Sequence, residues 1–266
     1  MDDSLRFFLL ISLAFQFTAF TLAWLAARHW QFFSLVDVVW TFALGIELAF
    51  VAPALSPVPE TEPALLFRWM LGLWSLRLGF YLVRRLAKQF PAEDKRYLAL
   101  RRQYGHQVNF RFWTFFLAQA FSTVLLSSLF WPIFTDLTAE VSALRCLALA
   151  LWTVGFAGEA MADRQLATFK KSPLQPGKSS VCQEGLWKYS QHPNYFFELL
   201  QWWSWALFVW PSPTGWTGAL AAAVMSYLIV KVTGIAFSDK MVAGNPAYAQ
   251  YQKTTSSLIP WWPRKF

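Results

Sequence analysis

Seven apolar runs of about twenty residues, separated by short polar segments, constrain this chain more than any other feature. They cover 5–27, 33–54, 65–83, 112–134, 141–163, 194–210 and 216–237. A hydrocarbon core of roughly 30 Å needs about 20 residues of helix to cross it, so each run is expected to be a transmembrane helix. Composition agrees. Hydrophobic residues make up 56% of the 266 positions and charged residues 14%, too little polar surface to cover a water-soluble fold of this size. The expected fold is an all-α, polytopic membrane protein of about seven helices, forming a single membrane domain over 1–266.

Lys and Arg set the orientation. The segment 84–111 carries Arg84, Arg85, Lys88, Lys95, Arg96, Arg101, Arg102 and Arg111, whereas the connections near Glu60, Asp136 and Ser212 carry none. The positive-inside rule puts the first in the cytoplasm, with the N-terminus outside and the C-terminus inside. In a bacterium the membrane would be the inner one. The net charge of +8 is accounted for by these loops and by anionic headgroups, so no nucleic-acid partner is expected. The first run follows Asp2 and Asp3 and exceeds the apolar core of a signal peptide, and is read as a retained helix. Cys146 and Cys182 form no disulfide framework and no metal spacing, and no metal site is expected.

An ionisable residue within a span costs at least about 2.5 kcal/mol on insertion scales and calls for a partner, a wet cavity or a function. The candidates are Asp37, Glu47, Arg77, Glu159, Asp163, Glu198 and Lys231. In GEAMADRQLATFKK (158–171), Glu159 and Asp163 share a helical face with Lys170 two turns on. That face is either a structural ion pair, with Arg77 or a loop lysine, or a pocket for a ligand's hydroxyl or amide groups. In GLWKYSQHPNYFFELLQWW (185–203), Pro193 suits a first helical turn, His192 or a neighbour would cap it, and Asn194 and Glu198 share the entering face. Tyr189 and Tyr195 would then be interfacial aromatics, or part of the same site. Arg77, Tyr81, Arg84 and Lys88 share one helical face; snorkelling explains the outer two, while Arg77 lies deeper.

These stretches, with PGK (176–178), PAYAQYQKTTSSLIPWWPR (246–264), VDVVW (36–40) and EDKRY (93–97), resemble the bacterial DUF1295 proteins, of the steroid 5-alpha-reductase-like superfamily. The resemblance covers nearly the whole chain. It implies a seven-helix oxidoreductase acting on CH–CH groups, which uses NADPH to reduce an activated carbon–carbon double bond in a hydrophobic steroid-like or isoprenoid lipid. The cofactor-bearing half is about 141–266. Asn194 and Glu198 match cofactor-contacting residues, Asp163 a cofactor-binding Asp, and Arg77 an Arg near the nicotinamide. Glu159 stands where the steroid enzymes have Asn and Lys170 where they have Arg. Lys178, Tyr189, His192 and Tyr195 join them as cofactor-binding candidates. Trp74 replaces a ketone-binding Tyr, so Tyr81, with Asp37 or Glu47, is the expected catalytic acid.

Two other classes compete. QHPNY partly fits the motif of membrane methyltransferases that use S-adenosylmethionine, and buried polar groups would also serve a non-enzymatic lipid-binding or transport protein. Against the transporter, no inverted repeat is visible.

Overall fold

A computed structural model describes residues 3–138, 140–171, 180–242 and 244–264. Among them there is no strand, only an isolated bridge between Ser190 and Ser256. The chain divides into two compact units, Met1–Val141 and Ser142–Phe266. Among the described residues, five stretches are long and apolar enough to cross a membrane: Asp3–Trp30, Leu35–Leu55, Lys95–Leu129, Ala143–Lys171 and Thr217–Lys240. The other two expected runs, 65–83 and 194–210, are also helical but are not among the five. The first is interrupted by Arg68 and Arg77 and rich in Trp; the second forms a helix of 17 residues.

In the first unit, α1 (Asp3–Trp30) buries Phe8, Ser12, Gln16, Phe20, Ala23 and Ala27, the i, i+4 stripe that faces a neighbouring helix. It packs on α2 (Leu35–Ile46) and on α6 (Val108–Leu129). One π-helical turn, Glu47–Val51, joins α2 to the short α3 (Ala52–Leu55), and α4 (Glu62–Gln89) lies against α2. A short amphipathic α5 (Lys95–Tyr104) precedes α6. The expected run 112–134 ends early as helix, because Pro132 has no N–H to continue the ladder and the chain turns into a 3-10 segment, Trp131–Phe134.

The second unit is built on α7 (Ala143–Lys171) and α8 (Pro193–Val209), its most extensively packed pair. Small residues permit the contact: a Cβ on Gly155 would sit 2.8 Å from Gln201 Cγ and 3.0 Å from the Phe197 carbonyl oxygen. At the far end Arg145, 1% exposed, donates to the Phe208 carbonyl at 3.3 Å and to Ser212 Oγ at 3.0 Å. A cation among the last carbonyls of α8 complements the negative end of its dipole. Helices α9 (Thr217–Tyr227), α10 (Ile235–Val242) and α11 (Pro246–Thr254) follow.

The segment after α11 is pinned to the entrance of α8. Gln191 donates from its backbone to the Ser256 carbonyl at 2.8 Å and from Nε2 to the Thr255 carbonyl at 2.6 Å. Ser190 Oγ donates to the Leu258 carbonyl at 2.7 Å, and Trp261 N to the Tyr189 carbonyl at 2.9 Å. Tyr251 donates to the Ser190 carbonyl at 2.9 Å, and Trp187 Nε1 to the Ala162 carbonyl at 3.0 Å. Backbone groups around the α8 start that a loop would leave unpaired are thereby satisfied.

Candidate functional site

The long reach of α7 carries it eight residues past its expected end at 163, so Glu159, Asp163 and Lys170 ride on one helix. Glu159 is 4% exposed, Asp163 6% and, on the facing helix, Glu198 7%. Gln201 Nε2 donates to Glu159 at 2.7 Å across the α7–α8 contact, and Trp202 Nε1 donates to Glu198 at 2.9 Å. Three carboxyl groups are thus set into an apolar helix pair, and the two bonds just described come from neutral donors. Asn194, in the first turn of α8, has its Oδ1 buried with no hydrogen-bond partner among the described residues. A buried amide oxygen without a partner forgoes about 1–3 kcal/mol, a cost that a bound ligand offering an N–H or O–H would relieve.

Pro193 takes the first helical position of α8 and His192 its N-cap position, but the imidazole makes no capping bond. It turns toward α10 and α11 instead. His192 Nε2 lies 3.2 Å from Asp239 Oδ1, the Tyr248 hydroxyl donates to the same oxygen at 2.7 Å, and Tyr195 stacks on the imidazole at 5.5 Å between ring centres. Burial lowers the imidazole's affinity for a proton, and neighbouring Asp239 only partly restores it, so its pKa falls below the usual 6.5. Burial, with the bond to Asp239 and its charge, raises the Tyr248 hydroxyl far above its ordinary range, which leaves it a donor. Tyr195 also reaches Ser238 Oγ at 3.3 Å.

Tyr189 is half-buried and meets Trp262 edge-on at 5.3 Å, while Lys170 is exposed at the end of α7. Lys178 lies outside the described residues. The second unit thus brings Glu159, Asp163, Asn194 and Glu198 to the α7–α8 pair and gathers His192 and Tyr195 beside Asp239. Sequence reasoning missed Gln201, Asp239, Tyr248 and Arg145. The i, i+3 step from Glu198 to Gln201 was a visible signal for the first.

The remaining candidates belong to the first unit, where each is placed differently. Asp37 accepts from Arg96 at 2.7 Å and from the Tyr97 hydroxyl at 2.6 Å. Arg96 also meets Asp94 at 3.2 Å, and Arg85 meets Asp94 at 2.5 Å. Asp94 caps α5 by accepting from Arg96 N at 2.9 Å. Burial would raise its pKa, yet Arg96 and Arg85 together hold it below the usual 3.8. Glu47 begins the π-helical turn, fully buried, and accepts from Ser12, Gln16 and Ser127, the last at 2.8 Å. Ten residues of helix separate Asp37 from Glu47, about 15 Å along the axis, so they occupy two distinct polar clusters. Arg77 and Tyr81 lie half-buried on α4, one turn apart, with Trp74 fully buried a turn before.

A family model described as "Protein of unknown function (DUF1295)" matches residues 23–255. No curated protein matches the chain.

Proposed function

The chain belongs to the DUF1295 family, and on that premise we propose that it is an NADPH-dependent membrane reductase of the steroid 5-alpha-reductase-like kind, acting on an activated double bond in a hydrophobic steroid-like or isoprenoid lipid. The observation that carries the proposal is the α7–α8 pair, with Glu159, Asp163 and Glu198 buried and the Asn194 amide oxygen unpartnered among the described residues. Acceptors in an apolar setting suit the ribose hydroxyls and carboxamide of a nicotinamide cofactor, and carboxylates do not suit its phosphates. Phosphates need cations, and Lys170, with Lys178, is the proposed source.

When bound, the cofactor supplies a hydride to the substrate's double bond. Asn194 accepts an N–H or O–H through Oδ1, while Glu198 and Asp163 hold hydroxyl groups. Glu159, oriented by Gln201, tightens the same face. His192, Tyr195 and Tyr189 shape the entrance of α8. Arg77 is assigned to the phosphate or nicotinamide end. Among the proposed acids, Tyr81 ranks first, because its hydroxyl can donate to a carbonyl as negative charge develops there.

Seven spans, the N-terminus outside and the C-terminus in the cytoplasm complete the proposal, supported by the basic segment 84–111. Calorimetry on detergent-purified protein tests it, with NADH and S-adenosylmethionine as competitors. Micromolar NADPH binding that Asn194→Ala abolishes is the expected outcome. Binding of S-adenosylmethionine alone would replace the reductase reading with the methyltransferase one, and binding of neither nucleotide would sink both.

A further inference from the structure

Beside the α8 entrance, the segment after α11 encloses a cleft of about 340 Å³ that the reductase reading does not use. Its wall is formed in part by Lys253, Arg264, Ser256 and Ser257, with no Asp or Glu among its described lining residues. Two cations beside two serines are the chemistry of a phosphate site. The scaffold is fixed rather than trailing: Arg264 N donates to the Thr254 carbonyl at 2.8 Å, bringing both ends of the segment together. The bonds of Gln191 to Thr255 and Ser256 and of Trp261 to Tyr189 hold its middle. Little backbone freedom is then left to lose when an anion binds.

The rim decides what kind of phosphate this is. Trp261 is 69% exposed, Trp262 72% and Ile259 63%, a cluster of large apolar side chains presented outward beside a cationic cleft. In water such a cluster is unfavourable. At a bilayer surface it is favourable, since Trp settles at headgroup level and Ile reaches toward the acyl chains. Among its described residues the chain has five stretches of helix long and apolar enough to cross a membrane. We propose that this cleft binds the phosphate headgroup of an anionic membrane phospholipid, with Lys253 and Arg264 on the phosphate and Trp261 and Trp262 at the interface.

The test is native mass spectrometry of the full-length protein in detergent, titrated with short-chain phosphatidylglycerol, short-chain phosphatidylcholine and inorganic phosphate. Two cations near the surface predict a preference of about tenfold or more for phosphatidylglycerol. The double variant Lys253→Gln/Arg264→Gln should reduce that preference to within about twofold. A control with the same loss of charge at two exposed positions of α5, Lys95→Gln/Arg102→Gln, should keep it. If the double variant does not fold, each single substitution is expected to remove roughly half of the preference on a logarithmic scale. An undiminished preference in the Lys253 and Arg264 variants would overturn the proposal. So would inorganic phosphate that displaces the lipid with equal affinity, because the site would then serve a soluble anion.

Discussion

Two polar clusters, one in each unit, are built in different ways. In the first, the cluster around α5 sets opposite charges against one another: Asp37 with Arg96, and Asp94 with both Arg96 and Arg85. In the second, the α7–α8 pair sets neutral donors against carboxyl groups, Gln201 on Glu159 and Trp202 on Glu198, and leaves the Asn194 oxygen without a partner among the described residues. Matched ions fix a structure, because removing one strands the other in a poorly solvated place. The Asn194 oxygen, without a partner among the described residues, adds little to stability and can be matched later by a ligand. Substitution in the first cluster is therefore expected to act on folding, and in the second on binding.

The largest effect that would break this contrast is Arg96→Ala. It strips Asp37 and Asp94 of their shared guanidinium, and a loss of about 2 kcal/mol in unfolding stability is expected, between the values for buried and exposed pairs. Thermal unfolding in detergent reads it; a change under about 0.5 kcal/mol would mean that the network is solvated and idle. Next, Asn194→Leu should weaken NADPH at least about tenfold while stability stays within about 1 kcal/mol, because the amide oxygen it removes has no partner among the described residues. A large loss of stability without loss of binding would make Asn194 structural.

A smaller effect concerns acid. His192 has its pKa lowered below 6.5, so the unfolded chain binds the proton more readily and stability falls as pH drops below 6.5 toward the folded value. Above 6.5 both states are neutral there and no dependence remains. His192→Gln should flatten that part of a stability-versus-pH curve, and an unchanged slope would assign the acid sensitivity elsewhere. The smallest effect is expected from Lys170→Gln at the exposed end of α7, with stability within about 0.5 kcal/mol. NADPH affinity should fall only a few-fold, and NADH affinity not at all, if Lys170 meets the extra phosphate.

Much of the architecture is legible in the sequence. The apolar runs gave helices in all seven places, since twenty apolar residues in succession carry their own signal whatever they pack against. Length and composition are borderline at Arg68 and Arg77 and in the 17 residues of α8, and five stretches among the described residues are long and apolar enough to cross a membrane. Family membership was legible as well, from short stretches that keep their identity regardless of contacts. The candidate site was half legible. Glu159, Asp163, Asn194 and Glu198 announced themselves as charged or polar residues in apolar runs, and the structure buries all three carboxyl groups.

Partners were another matter. VDVVW and EDKRY were visible as two separate motifs, but nothing in their spacing says that Asp37 and Arg96 meet at 2.7 Å. Likewise Asp239 reads as an ordinary charged residue near a span end until α10 and α11 bring it and Tyr248 to His192. The sequence by itself determined which segments are helices, which residues are too polar for their surroundings, and the family. Tertiary structure alone decided which polar groups meet, because periodicity within a helix is a local property, whereas a hydrogen bond between residues forty or more apart depends on how helices pack.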